Sequence, residues 1–164
     1  MTEKIMTLND IDEHEINVFV DAVVQYFLQI TGQKAEVRAA YLAAGETLPP
    51  TSEFTGVIKI SGDYRGCIYF SADRFLLSRL LLAMNETKHT DDQLLDAVGE
   101  IANTLAGNAR RHFGEKMEVS IPLTMHGTEA KSLQHMVRAR PYVIMVRWKQ
   151  YEASMIVDIR HDKQ

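Results

Sequence analysis

The stretch Thr90–Phe113 (TDDQLLDAVGEIANTLAGNARRHF) constrains this chain most. It reads as one long amphipathic helix, and a rod of that length must lay its apolar stripe on a core. At about 100° per residue, Leu94, Val98, Ile101, Leu105 and Ala109 fall within roughly 80° of one another. Thr90 and Gln93 fit a capping box, each side chain serving a free backbone N–H at the helix start. Asp91 and Asp92 occupy the first turn and Arg110, Arg111 and His112 the last, an order that complements the macrodipole.

The opposite side of that helix carries Asp96, Glu100, Asn103 and Gly107. Residues three or four apart are neighbours on a helix surface, so the carboxylate of Glu100 and the carboxamide of Asn103 could touch one incoming molecule together. Asn and Gly are poor helix residues, Gly costing about 1 kcal/mol relative to Ala, yet this helix holds Gly99, Asn103, Gly107 and Asn108. Two explanations stand side by side. One is close helix packing at the glycines and drift at the asparagines. The other is that Gly107 admits another protein's backbone while Asn103 and Glu100 act on it.

With 164 residues the chain suggests one domain spanning 1–164, long enough to bury a real core. A hydrophobic content of 46% and a charged content of 24% are ordinary for a globular protein. The formal net charge of −4 argues against nucleic-acid binding, which needs a basic surface to displace counterions. The one cysteine, Cys67, cannot form an internal disulfide, and its alternating apolar context reads as core rather than nucleophile. No apolar run approaches the ~20 residues of a membrane span, so no membrane insertion is expected. Met1–Asn9 lacks a signal-peptide pattern, so the expected location is cytoplasmic.

Along the chain, Met1–Asn9 reads as loose and Asp10–Thr31 as a helix stopped by Gly32. Lys34–Ala44 alternates weakly and suggests a first strand, and Gly45–Thr55, with Pro49 and Pro50, a surface loop. Phe54–Ser61 and Gly66–Ser71 form a hairpin turned at Gly62–Arg65. Asp73–Met84 is a short, largely buried helix N-capped by Asp73, and Asn85–His89 links it to the long helix. Three more strands follow: Glu118–Met125, Arg140–Trp148 and Tyr151–Ile159, the last two joined tightly at Lys149–Gln150. Thr128–Gln134 reads as a polar loop. Short connections favour antiparallel pairing. The expected class is α+β, an antiparallel sheet of about six strands with three helices packed on it. Tyr151–Ile159 is expected at a sheet edge, where a second copy could pair with it, so a homodimer through edge strands is expected.

Much chemistry is missing from the sequence. None of the six histidines, His14, His89, His112, His126, His135 and His161, forms a metal-ligand pair, and each reads as a surface residue. A Walker loop, a GxGxxG fingerprint and a GxSxG elbow are all absent, which removes sequence support for nucleotide binding and esterase chemistry. Chemistry that acts by positioning alone stays open.

GEIANTLAGNA at Gly99–Ala109 resembles the E-x-x-N helix of the chemotaxis phosphatases CheC, CheX and FliY. DAVGEIAN at Asp96–Asn103 and SIP at Ser120–Pro122 fit as well. INVF at Ile16–Phe19 and SGDYRG at Ser61–Gly66 are similar to CheX in particular, so the likeness runs roughly from Ile16 to Ile159. Pro122 lies closer to Asn103 than the family pattern has it, which implies a shorter intervening loop. The first helix contains no Glu-x-x-Asn, so the resemblance implies a single site, the CheX arrangement, with a CheC-like fold.

What the resemblance implies is hydrolysis of the phosphoaspartate on a CheY-like response regulator. The regulator itself holds Mg2+ and the acyl phosphate, and no cofactor or metal is expected on this chain. Carried over, Asn103 is the amide that orients the attacking water, and Glu100 contacts the regulator's active-site lysine. Asp96 matches the family's Asp/Ser position and assists docking, and Gly107 admits the regulator's loops. The physical logic agrees: phosphoryl transfer needs in-line placement and charge stabilisation more than covalent help, and an amide holds water without adding an anion beside phosphate. The alternative is a non-catalytic response-regulator-binding module or dimeric scaffold of the same fold.

Overall fold

A computed structural model describes residues 10–43, 50–135 and 141–162. The segment Met1–Asn9 and residues 45–49 of the Gly45–Thr55 loop lie outside the described residues.

Among the described residues three α-helices form where the periodicity places them. Helix α1 (Glu13–Thr31) starts at Asp12, whose carboxylate accepts from Glu15 N at 2.7 Å while Glu15 accepts from Asp12 N at 3.0 Å. It stops at Gly32, which adopts a left-handed φ of 75° that favours glycine. Helix α2 (Arg74–Ala83) is capped by Asp73, and α3 (Asp91–Phe113) by Thr90 in the expected capping box with Gln93.

Seven strands among the described residues make one antiparallel sheet: β1 (Glu36–Leu42), β2 (Phe54–Gly62), β3 (Tyr64–Ala72), β4 (Met117–Val119), β5 (Leu123–His126), β6 (Tyr142–Trp148) and β7 (Tyr151–His161). The order is β1-β6-β7-β3-β2-β4, with β5 also on β2. One face of the sheet packs on the helices through Phe54, Ile58, Ile68, Phe70, Ile144 and Met155, among others. The other carries a smaller cluster of Val57, Cys67, Tyr69, Val143 and Ile156, closed by Leu133.

Three expectations need correction. Glu118–Met125 is two short strands, which is why the sheet has seven. Between them Ser120 bends the chain: Lys59 N donates to its hydroxyl at 2.9 Å instead of to a carbonyl, and Pro122 has no N–H to offer the ladder. Thr128–Gln134 lies within a 3-10 helix (Gly127–His135) that buries Leu133. The Tyr151–Ile159 strand is not at an edge. It lies between β6 and β3, and residues 153–159 are buried on both faces, the burial of an interior strand. Among the described residues the outer strands are β1 on one side and β4 with β5 on the other.

Candidate functional site

Helix α3 is held at both ends. At its start the Arg74 guanidinium bridges Asp91 and Glu53, each at 2.9 Å. Those two carboxylates, Asp91 first, raise its pKa above the usual arginine value. At its end Arg110 Nε donates to Met117 O at 2.8 Å and Gly114 N–H closes on Arg110 O. Between the ends Val98, Ala102, Leu105, Ala106 and Ala109 are fully buried against the sheet. The approach is close because β2 offers Gly56, where an added Cβ would stand 2.5 Å from Val98 O and 3.2 Å from Ala102 Cβ.

The opposite side of this fixed rod faces solvent. Asp96, Glu100 and Asn103 are exposed, and no side-chain hydrogen bond or ion pair engages them among the described residues. The two glycines divide between the two explanations. At Gly99 a Cβ would meet Thr124 Cγ2 at 2.9 Å and Pro122 Cβ at 3.4 Å, so that glycine serves packing of the β4–β5 corner against α3. At Gly107 nothing lies within 4 Å of the added Cβ, so no neighbour within the described chain calls for glycine there.

Two shoulders flank the polar stripe. On the Gly99 side stand Ile121, 85% exposed, and Leu123, 46% exposed. On the other side a cleft of about 400 Å³ opens between α1, the α2–α3 connection and α3, and both Asp96 and Glu100 lie on its border. Tyr26 of α1 lines it. Burial, with the Glu100 carboxylate adding to it, pushes the Tyr26 phenol up to about 12.

No local pattern signals this cleft, which α1 builds with the distant stretch running from the end of α2 into α3, nor the Arg74 bridge, whose acids lie far apart in the chain. Two histidines read as surface residues are half-buried. His126 stacks on Phe54 with centroids 4.5 Å apart, and His161 lies 3.2 Å from Glu15. Cys67 is buried, which pushes its thiol up to about 12 and suits a core residue rather than a nucleophile. Among the described residues no group of three His, Cys, Asp or Glu side chains could hold a metal ion. No helix among them is long and apolar enough to cross a membrane.

Solved structures share this fold. Chemotaxis protein CheX from Vibrio vulnificus superposes with a TM-score of 0.73 at 16% identity, covering 89% of this chain and 99% of that one. A putative chemotaxis protein from Desulfovibrio vulgaris Hildenborough gives 0.73 at 19% identity, covering 93% and 99%. A chain of the CheX–CheY–BeF3–Mg2+ complex from Borrelia burgdorferi gives 0.63 at 16% identity, covering 90% and 98%. No curated protein matches the chain in sequence. The family profile described as chemotaxis phosphatase CheX matches residues 54–147, a span that contains the whole of α3 and more than half of the chain. With its seven-stranded sheet, its three helices and its E-x-x-N helix turned outward, the chain belongs to the CheX family.

Proposed function

We propose that this chain accelerates hydrolysis of the aspartyl phosphate of a CheY-like response regulator. The observation that carries the proposal is the pairing on α3 of an exposed amide, Asn103, with an exposed carboxylate, Glu100, on a helix fixed at both ends. Asn103 holds a water in line with phosphorus, and Glu100 meets the regulator's active-site lysine. The water's oxygen bonds to phosphorus as the bond from phosphorus to the aspartyl oxygen breaks. The regulator's carboxylate leaves and inorganic phosphate is released. A hundredfold acceleration needs only about 2.7 kcal/mol off the barrier, within reach of positioning. An aspartate at 103 would face the phosphoryl oxygens with like charge.

In the same reading Asp96 takes part in docking and Gly107 leaves room for the regulator's loops. The Mg2+ sits on the regulator; the Borrelia complex holds CheX, CheY, BeF3 and Mg2+ together. Residues 1–164 act as one domain in the cytoplasm. A homodimer through edge strands uses β1, whose residues are mostly exposed, rather than β7.

The test is to phosphorylate the receiver domains of the same genome and follow phosphate loss with and without this protein. Faster loss from at least one of them is the expected result. Binding without faster loss would favour the non-catalytic module, and neither binding nor faster loss would end both readings.

A further inference from the structure

The cleft beside Glu100 has a composition unlike the stripe it borders. Ile30, Leu81, Met84, Ala97 and the ring of Tyr26 line it. Its volume of about 400 Å³ is near the lower end for ligand clefts, enough for one or two side chains. The charged groups along it are Glu86, Asp96 and Glu100 against Lys88. Three carboxylates against one ammonium repel a phosphoryl group, so the phosphoryl end of a docked regulator lies toward Asn103 and the basic end of α3 at Arg110, Arg111 and His112. What the acidic, apolar cleft fits is an apolar side chain flanked by lysine or arginine. Met84, 37% exposed at the cleft, supplies an adaptable thioether surface for it.

We infer that this cleft is the specificity pocket of the docking face. It receives an apolar side chain with a neighbouring cation from the regulator, and so selects which regulator presents its phosphoaspartate to Asn103. The inference rests on the regulator-phosphatase reading, but it concerns recognition and not the hydrolytic step.

Glu86, Lys88 and Thr104 are exposed, so substitutions there leave the core untouched. The probe is a panel of receiver domains from the same genome, loaded with beryllofluoride and Mg2+ and titrated against this chain. Glu86→Lys is expected to weaken binding by roughly three- to tenfold and Lys88→Glu to tighten it by a similar factor. Thr104→Trp, which fills the cleft, is expected to weaken binding by about tenfold or more. In turnover assays these changes appear in KM while kcat stays within about twofold.

Opposite signs at 86 and 88 are the decisive readout, because general damage cannot improve binding. Shifts of one sign, or none, on a receiver that the wild type binds overturn the pocket and leave the phosphatase reading standing. If loaded receivers bind with the opposite-signed shifts but lose phosphate no faster, the pocket stands and the phosphatase reading falls. If no receiver binds, both fall. A change in sedimentation mass on Thr104→Trp, with receiver binding unaltered, would make a second copy of this chain the occupant and overturn the inference.

Discussion

Replacing Asn103 by alanine is expected to move stability and activity in opposite directions. The side chain is exposed and makes no side-chain hydrogen bond among the described residues, so truncation opens no cavity and orphans no partner. Alanine is the better helix residue by about 0.5 kcal/mol in the middle of α3. For a chain of this length that corresponds to a rise of about 1–2 °C in Tm. Removing a group that orients the attacking water costs about 2.7–4 kcal/mol of barrier, a loss of roughly 10²- to 10³-fold in kcat. Two measurements on one preparation decide it: the thermal midpoint by circular dichroism, and phosphate loss from the receiver that the wild type dephosphorylates fastest. Activity equal to wild type would remove Asn103 from the catalytic role. A Tm lowered by several degrees would show instead that the amide holds the fold together, and the argument from its exposure would fail.

Gly107→Ala is expected to raise stability by about 1 kcal/mol, because the added methyl meets nothing within 4 Å. It should also slow dephosphorylation if a regulator's backbone passes over that position; a stabilised variant with full activity would return Gly107 to neutral drift. Gly56→Ala should destabilise by about 1–3 kcal/mol, since its methyl would stand 2.5 Å from Val98 O and force α3 off the sheet. Urea unfolding checks this, and an unchanged midpoint would contradict the close packing. Raising the pH should weaken the fold between about 9 and about 12. Tyr26 is held protonated above its usual value of 10.0 by burial and by Glu100, and Cys67 above 9.0 by burial and by Asp158. A group whose folded pKa is raised contributes stability that is full below its unfolded pKa and lost as pH climbs through the folded one. Tyr26→Phe should flatten part of that loss, and a urea midpoint unchanged between pH 8 and pH 11.5 would refute it.

The helices were legible because their signals are local. Asp73, Thr90 with Gln93, and Gly32 each act within one turn of the chain, whereas the Asp12–Glu15 box that starts α1 two residues past Asp10 emerges from the structure. The outward stripe of Asp96, Glu100 and Asn103 follows from the same 3.6-residue repeat that buries Leu94, Val98 and Ile101 on the other side. The strands were less legible. Period-two alternation marks a strand but says nothing of its neighbours, so the sequence points to an edge for the last strand although β3 and β6 flank it. Its apolar run through residues 153–159 was a clue, since an interior strand covered on both faces reads as continuously hydrophobic. The break at Ser120–Pro122 needed the tertiary partner, because the hydroxyl that replaces a carbonyl there serves Lys59, a residue far away in sequence.

The sequence by itself determined the rod and the order of charges and amide along it, because helix geometry depends on residues within four positions of one another. Tertiary structure decided everything that depends on distance across the fold. Gly56 lets α3 lie against β2, Arg74 ties its start to Glu53, and Pro122 and Thr124 claim Gly99 while leaving Gly107 open. The cleft next to Glu100 likewise exists only where α1, the α2–α3 connection and α3 meet. Contacts of this kind join segments whose separation along the chain carries no periodic signal, so packing alone selects them.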